Sequence, residues 1–235
     1  MGAARVNGAL TRLAEALTPL PPTSVPMTDP KTLVHTASLL ASRLCHDLVN
    51  PVGALNTGLE VLAEEQDAEM REHAMSLIRE STAKTVALLT FSRMAFGASG
   101  AWEGHIDTGE ARGLAEGLYA HAKADLVWDV PPGPMAKAAV RVLLNLVLVA
   151  ERCVPRAGST VTAAARDGTV TVTAAGPRAK LPEALTAALS GDDTDLEAKA
   201  APGYLAHLLA AASGGTILAR AEEDRVVFEA TGLEA

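Results

Sequence analysis

The sequence predicts an α+β protein, a long αα-hairpin followed by an α/β sandwich with a mixed sheet. Three observations carry this. An apolar stripe runs at helical spacing from Leu33 to Leu62. A second helical segment follows after one acidic turn. Beyond about residue 105 the texture changes to short segments separated by Pro- and Gly-rich turns.

Residues 1–30 read as a flexible N-terminal extension. Leu10, Leu13 and Leu17 mark a short amphipathic stretch, and Pro19–Pro30 is Pro-rich, which makes a stiff, irregular linker. Met27 offers a second start. The first residues lack a basic stretch followed by an apolar run, so no signal peptide is expected.

Residues 31–100 are expected to form a dimerisation hairpin of two long helices. Leu33, Ala37, Leu40, Leu44, Leu48, Val52, Leu55, Leu59 and Leu62 are spaced 4, 3, 4, 4, 4, 3, 4 and 3 residues apart. Thr28 or Asp29 can cap this helix, with Pro30 in its first turn. Glu64–Glu69 reads as the turn. A second helix is expected over about Met70–Phe96, ended by Gly97–Gly100. Two helices alone cannot bury both apolar faces, so a four-helix bundle formed by a homodimer is expected.

Residues 101–235 are expected to form the α/β layer. A helix over Gly109–His121 leads to a strand over Asp125–Val130. After the turn Pro131–Pro134 comes a very apolar helix, about Met135–Cys153. Thr160–Ala165 and Thr169–Ala174 flank the Asp167-Gly168 turn as a hairpin. A short helix near Pro182–Ser190 runs into the acidic, mobile-looking stretch Gly191–Lys199. A last helix, Gly203–Ala212, ends at Gly214-Gly215, and strands over Thr216–Ala221 and Arg225–Ala230 follow.

Composition excludes several functions. Among 235 residues, 20 basic and 28 acidic side chains give a net charge of −8, and no basic tract exists. Direct nucleic-acid binding and attachment to an anionic membrane are therefore disfavoured. No apolar run is long enough to span a membrane. Cys45 and Cys153 sit far apart in helical patterns, which suits inert buried thiols in a reducing cytoplasm. No Cys/His cluster has the spacing of a zinc site.

The segment from Ser42 to Gly53, SRLCHDLVNPVG, carries the chemistry. At about 100° per residue, His46 lies opposite the apolar stripe, with Leu39, Arg43, Val49, Asn50 and Gly53 around it. An imidazole then projects from the solvent face beside aliphatics, a cation, an amide and a glycine. Pro51 inside the helix cannot donate to the Asp47 carbonyl, and bends the chain beside His46. Asp47 can accept from one ring N–H and fix the tautomer. Asn50 can orient the ring, and Arg43 can meet a negative charge. If the turn centres near residue 67, His46 faces about residue 88, which puts Thr90, Phe91, Arg93 and Met94 nearby. Arg93 is a second candidate contact for an anionic group or a partner.

His-Asp-x-x-Asn-Pro resembles the H-box of histidine kinases and dimeric histidine phosphotransferases. The resemblance implies that His46 is the phosphoacceptor, with Asp47 and Asn50 in catalytic support. The second half resembles a degenerate histidine-kinase ATP-binding domain. Asn145 matches the first Asn of the N-box, but Val149 stands where the family holds Mg²⁺ through Asn. Ala174 stands where an Asp binds adenine, and only Gly203 remains of the glycine-rich box. The combination resembles the ChpT-type bacterial histidine phosphotransferases over about residues 32–231.

That resemblance implies a cytoplasmic homodimer in a multistep phosphorelay of cell-cycle regulation. His46 would take a phosphoryl group from the receiver Asp of a hybrid histidine kinase. It would pass it to response regulators of the CtrA and CpdR types. No cofactor is expected on this chain, and Mg²⁺ is expected on the partner receiver. Leu39, Arg43, Val49, Gly53 and Arg93 are the expected partner contacts. Two alternatives stand beside this reading: a non-catalytic receiver-binding scaffold and a divergent ATP-dependent histidine kinase.

Overall fold

The structure, a computed structural model, describes residues 29–97 and 103–233. Most of the expected N-terminal extension lies outside the described residues. From Val34 onward the described residues form one compact unit.

Helix α1 spans Pro30–Glu64 and helix α2 spans Ala68–Ala95. Asp67 caps α2, its carboxylate accepting from the Met70 N–H at 3.0 Å. Arg71 closes the turn by donating to the carbonyls of Leu62 and Glu65. The Glu65 carboxylate accepts from the Gln66 and Asp67 N–H groups, which hold its acidity above that of an ordinary glutamate. The helices cross tightly at Gly58. A Cβ there would lie 2.7 Å from Ile78 Cγ1 and 3.2 Å from the Ala74 carbonyl oxygen.

The face that α1 buries is not its leucine stripe. Thr36, Arg43, Pro51 and Gly58 are its buried residues. Leu33, Val52 and Leu59 of the stripe remain 50%, 50% and 55% exposed. Periodicity finds the apolar face of a helix but not the face its own chain covers. Here the covered face is the one carrying Arg43 and Pro51.

The second part has two sheets. Strands β1 (His105–Asp107) and β3 (Pro134–Ala136) pair antiparallel as a short ribbon. Helix α3 (Thr108–Tyr119) and strand β2 (Asp125–Asp129) lie between them in sequence. Helix α4 (Lys137–Ala150) is followed by β4 (Thr160–Arg166), β5 (Thr169–Ala175), α5 (Glu183–Ser190), α6 (Ala201–Ala212), β6 (Thr216–Glu222) and β7 (Arg225–Thr231). The main sheet has the order β2-β4-β5-β7-β6, with β2 parallel to β4 and every other pair antiparallel. The mixed sheet is therefore as expected. The β4–β5 turn places Asp167 and Gly168 at φ 48° and 72°, which fits a two-residue hairpin turn.

Helix α4 is the centre of the core, and every residue from Ala139 to Ala150 is buried. The expected single helix over 135–153 is shorter than its apolar run. Its first residues join the β1–β3 ribbon, and Glu151–Cys153 tighten into a 3₁₀ turn. Phe91, Met94 and Ala95 of α2 enter the same core. The acidic stretch 191–199 is also less open than expected. Leu196 is buried with Ala188, Ala200 and Tyr204, and Leu39 of α1 packs against this cluster.

The two thiols differ, which corrects the expectation that both are buried. Cys153 is buried, and loss of hydration pushes its thiol up to about 12. Cys45 is exposed on α1. Maleimide at pH 8 is expected to modify Cys45 in the native protein and Cys153 only after unfolding. Mass spectrometry of the native reaction checks this, and rapid native labelling of Cys153 would contradict the burial.

Candidate functional site

Helix α1 continues through Pro51, and the side chains one turn before it face the α/β layer. Together they make one wall of a cleft of about 230 Å³. Arg43, His46, Asp47, Asn50 and Pro51 line that wall, and Lys84 and Leu88 come from α2. The opposite wall is the end of α3 with the residues just after it, and the end of α4. It contributes Leu118, Tyr119, His121, Leu148 and Glu151.

Asp47 is the hinge of the electrostatics. Its Oδ1 lies 3.1 Å from His46 Nδ1, and its Oδ2 accepts from Arg43 Nε. An ionised carboxylate only accepts, so the ring's Nδ1 must carry the proton. Nε2 is then the unprotonated nitrogen with its lone pair available. The His46 side chain is 71% exposed, whereas Asp47 and Arg43 are 22% and 9% exposed. The imidazole is open and the two side chains behind it are covered. Arg43 thus serves Asp47, where the sequence suggested a cation free to meet phosphate.

A buried hydrogen bond ties the opposite wall together. The Tyr119 hydroxyl donates to the Val147 carbonyl at 2.8 Å. Burial and the nearby Glu151 charge push this phenol far above its ordinary range, so it stays protonated. Arg152 lies within electrostatic range of Arg43, Asp47 and Glu151. Burial, and then the positive charge of Arg43, hold its guanidinium below the usual value, while the Asp47 carboxylate opposes them.

The expected contacts divide. Arg43, His46, Asp47 and Asn50 meet in the cleft. Leu39 is drawn to the Leu196–Tyr204 cluster and is half-buried there. Val49 is 66% exposed, and Gly53 is exposed, with open space where a Cβ would stand. Arg93 is exposed and outside the cleft lining, while Phe91 and Met94 turn into the core. Leu88 lies beside His46 as the hairpin register predicts, yet the residues after it point elsewhere. Lys84, Tyr119, His121 and Glu151 escape sequence reasoning. No local pattern marks them, because only tertiary packing brings them to His46.

The positions likened above to nucleotide-binding boxes serve packing in this structure. Val149 and Ala174 belong to the main apolar core. A Cβ on Gly203 would lie 2.6 Å from Leu185 Cδ1, so this glycine serves the packing of α6 on α5. Asn145 is fully buried, and its amide donates to the carbonyls of Ala95 and Arg141, both at 2.8 Å. It ties α4 to the last turn of α2. Among the described residues no group of three or more His, Cys, Asp or Glu side chains could hold a metal ion. No described helix is long and apolar enough to cross a membrane.

The histidine phosphotransferase C-terminal domain family matches residues 108–225. The protein phosphotransferase ChpT of Brucella abortus (strain 2308) is 35% identical over 198 residues, which cover 82% of this chain and 93% of that protein. The chain belongs to the ChpT family of histidine phosphotransferases. A solved structure described as a bacterial phosphotransferase agrees with this ChpT-family chain in fold. It is 33% identical, has a TM-score of 0.72, and the match covers 84% of this chain and 96% of that one. The activity of this ChpT-family chain is histidine phosphotransfer in a phosphorelay.

Proposed function

We propose that His46 is the phosphoacceptor, and that it carries a phosphoryl group from the receiver Asp of a hybrid histidine kinase to the Asp of a response regulator. One observation carries this reading. Asp47 Oδ1 lies 3.1 Å from His46 Nδ1, where it favours a proton on that nitrogen, and the exposed ring lines the cleft.

In the first step Nε2 attacks the phosphorus of the aspartyl phosphate. A P–N bond forms as the P–O bond to the donor carboxylate breaks, and that carboxylate leaves with the bonding pair. The ring gains positive character, which Asp47 offsets through the Nδ1–H hydrogen bond. In the second step the acceptor carboxylate attacks, the P–N bond breaks, and the pair returns to Nε2. No proton needs to leave the ring in either step. Such transfers have loose transition states, so positioning and charge neutralisation do most of the work. Asn50, one turn beyond His46, orients the ring or a phosphoryl oxygen. Mg²⁺ belongs to the receiver, where it offsets phosphoryl charge. No ATP is used, a reading supported by Val149 and Ala174 lying in the apolar core.

The open stripe supports a homodimer. Leu33, Val52 and Leu59 of α1 and Leu77, Val86 and Leu89 of α2 are exposed in the single chain. A second copy would cover them as a four-helix bundle. Val49, Gly53 and Arg93, all exposed, are the proposed receiver contacts, with CtrA-type and CpdR-type regulators as acceptors and the cytoplasm as the compartment.

The test is a two-step relay with a labelled receiver. Label is expected on this chain in an acid-labile, alkali-stable form, as a phosphoramidate requires, and then on a second receiver. An alkali-labile adduct, or label that never leaves the first receiver, would overturn the reading.

A further inference from the structure

Phosphoryl transfer to His46 brings two or more negative charges into the cleft, and the cleft must answer them. Its lining holds two permanent cations, Arg43 and Lys84. Arg43 is committed. Its Nε donates to Asp47 and its side chain is 9% exposed, so its charge is balanced before any phosphate arrives. Arg93 is outside the lining, and so is Arg152. Lys84 is different. It projects from α2 into the same cleft as His46, is exposed, and takes part in no hydrogen bond or ion pair among the described residues.

We infer that Lys84 is a catalytic residue of the transfer, its ammonium meeting the oxygens of the phosphoryl group at His46 Nε2. This rests on His46 as the phosphoacceptor. A lysine suits the task, as a compact, mobile point charge that can follow a group moving between oxygen and nitrogen. Its stem reaches from a different helix than the nucleophile, so charge neutralisation approaches from one side and the Asp47 support from another. The ammonium gives up no proton, and the electron balance of the two steps is unchanged.

Glu151, in the opposite wall, makes the need for this cation greater. It is an acid in the same cleft that forms no ion pair among the described residues. Without Lys84 an incoming phosphoryl group would meet one balanced Arg–Asp pair and a carboxylate whose opposite charge, Arg152, lies outside the lining. Removing the lysine therefore leaves the paired Arg43 as the one Lys or Arg side chain in the cleft lining.

The experiment is single-turnover transfer from a phosphorylated receiver to the full chain, with receiver concentration varied. Lys84→Gln is expected to lower the saturating rate constant by about tenfold, with the half-saturating concentration changed much less. Lys84→Arg is expected to recover most of the rate. A merely structural role would not give this split or this rescue, and thermal melting of each variant reports folding separately. His46→Gln runs alongside. If His46→Gln still accepts label, the phosphoacceptor reading fails. If it accepts none but Lys84→Gln transfers at the wild-type rate, only the Lys84 assignment is overturned. A rise in the half-saturating concentration alone would also overturn it, and would make Lys84 a docking contact.

Discussion

Replacing His46 with glutamine is expected to abolish acceptance of label, because an amide offers no comparable nucleophilic nitrogen. Asp47→Asn is expected to keep the site but slow transfer by about two orders of magnitude. An asparagine can offer its N–H group to Nδ1, which moves the ring proton to Nε2 and blocks the attacking lone pair. Even with its oxygen turned to the ring, it carries no charge to offset the developing imidazolium. The variant also leaves the mostly buried Arg43 guanidinium without its counter-charge. A loss of stability of about 1–3 kcal/mol is therefore expected alongside. Rates taken well below the melting temperature separate the two effects. Wild-type transfer by Asp47→Asn would show that the 3.1 Å contact to His46 does not set the tautomer.

The largest loss of stability is expected at Phe91. Its ring is fully buried in the last turns of α2, inside the core formed with α4. Phe91→Ala removes a large apolar surface and leaves a cavity between the hairpin and the α/β layer. A cost of about 3–5 kcal/mol is expected. For a chain of this size that lowers the melting temperature by about 6–20 °C. A shift below about 2 °C would show that the hairpin end is not anchored through this ring.

The long helices are legible in the sequence because their apolar repeat continues over many turns, which no strand or loop imitates. The β4–β5 and β6–β7 hairpins are legible from alternation around turns. The ribbon of β1 and β3 is not, since three residues are too few to show a period and one strand begins with Pro134. The cleft is half legible. His46, Asp47 and Asn50 belong to one continuous motif, and Arg43 lies one turn before it. Lys84, Tyr119 and Glu151 carry no local mark, and packing alone delivers them. The motif also misplaces Arg43. Helical angle puts it on the solvent side of an isolated helix, and a covering α/β layer cannot be read from angle.

The cleft beside His46 is small, about 230 Å³, and on the proposed reading a single nitrogen, His46 Nε2, takes the phosphoryl group. Donor and acceptor must each bring an aspartate to the same nitrogen of a given chain, so they take turns at one doorway. A spent donor that lingers there blocks the next partner as surely as a rival would. On the proposed reading, the throughput of the relay then depends on how fast partners leave. Weak docking would be an asset of this protein rather than a defect.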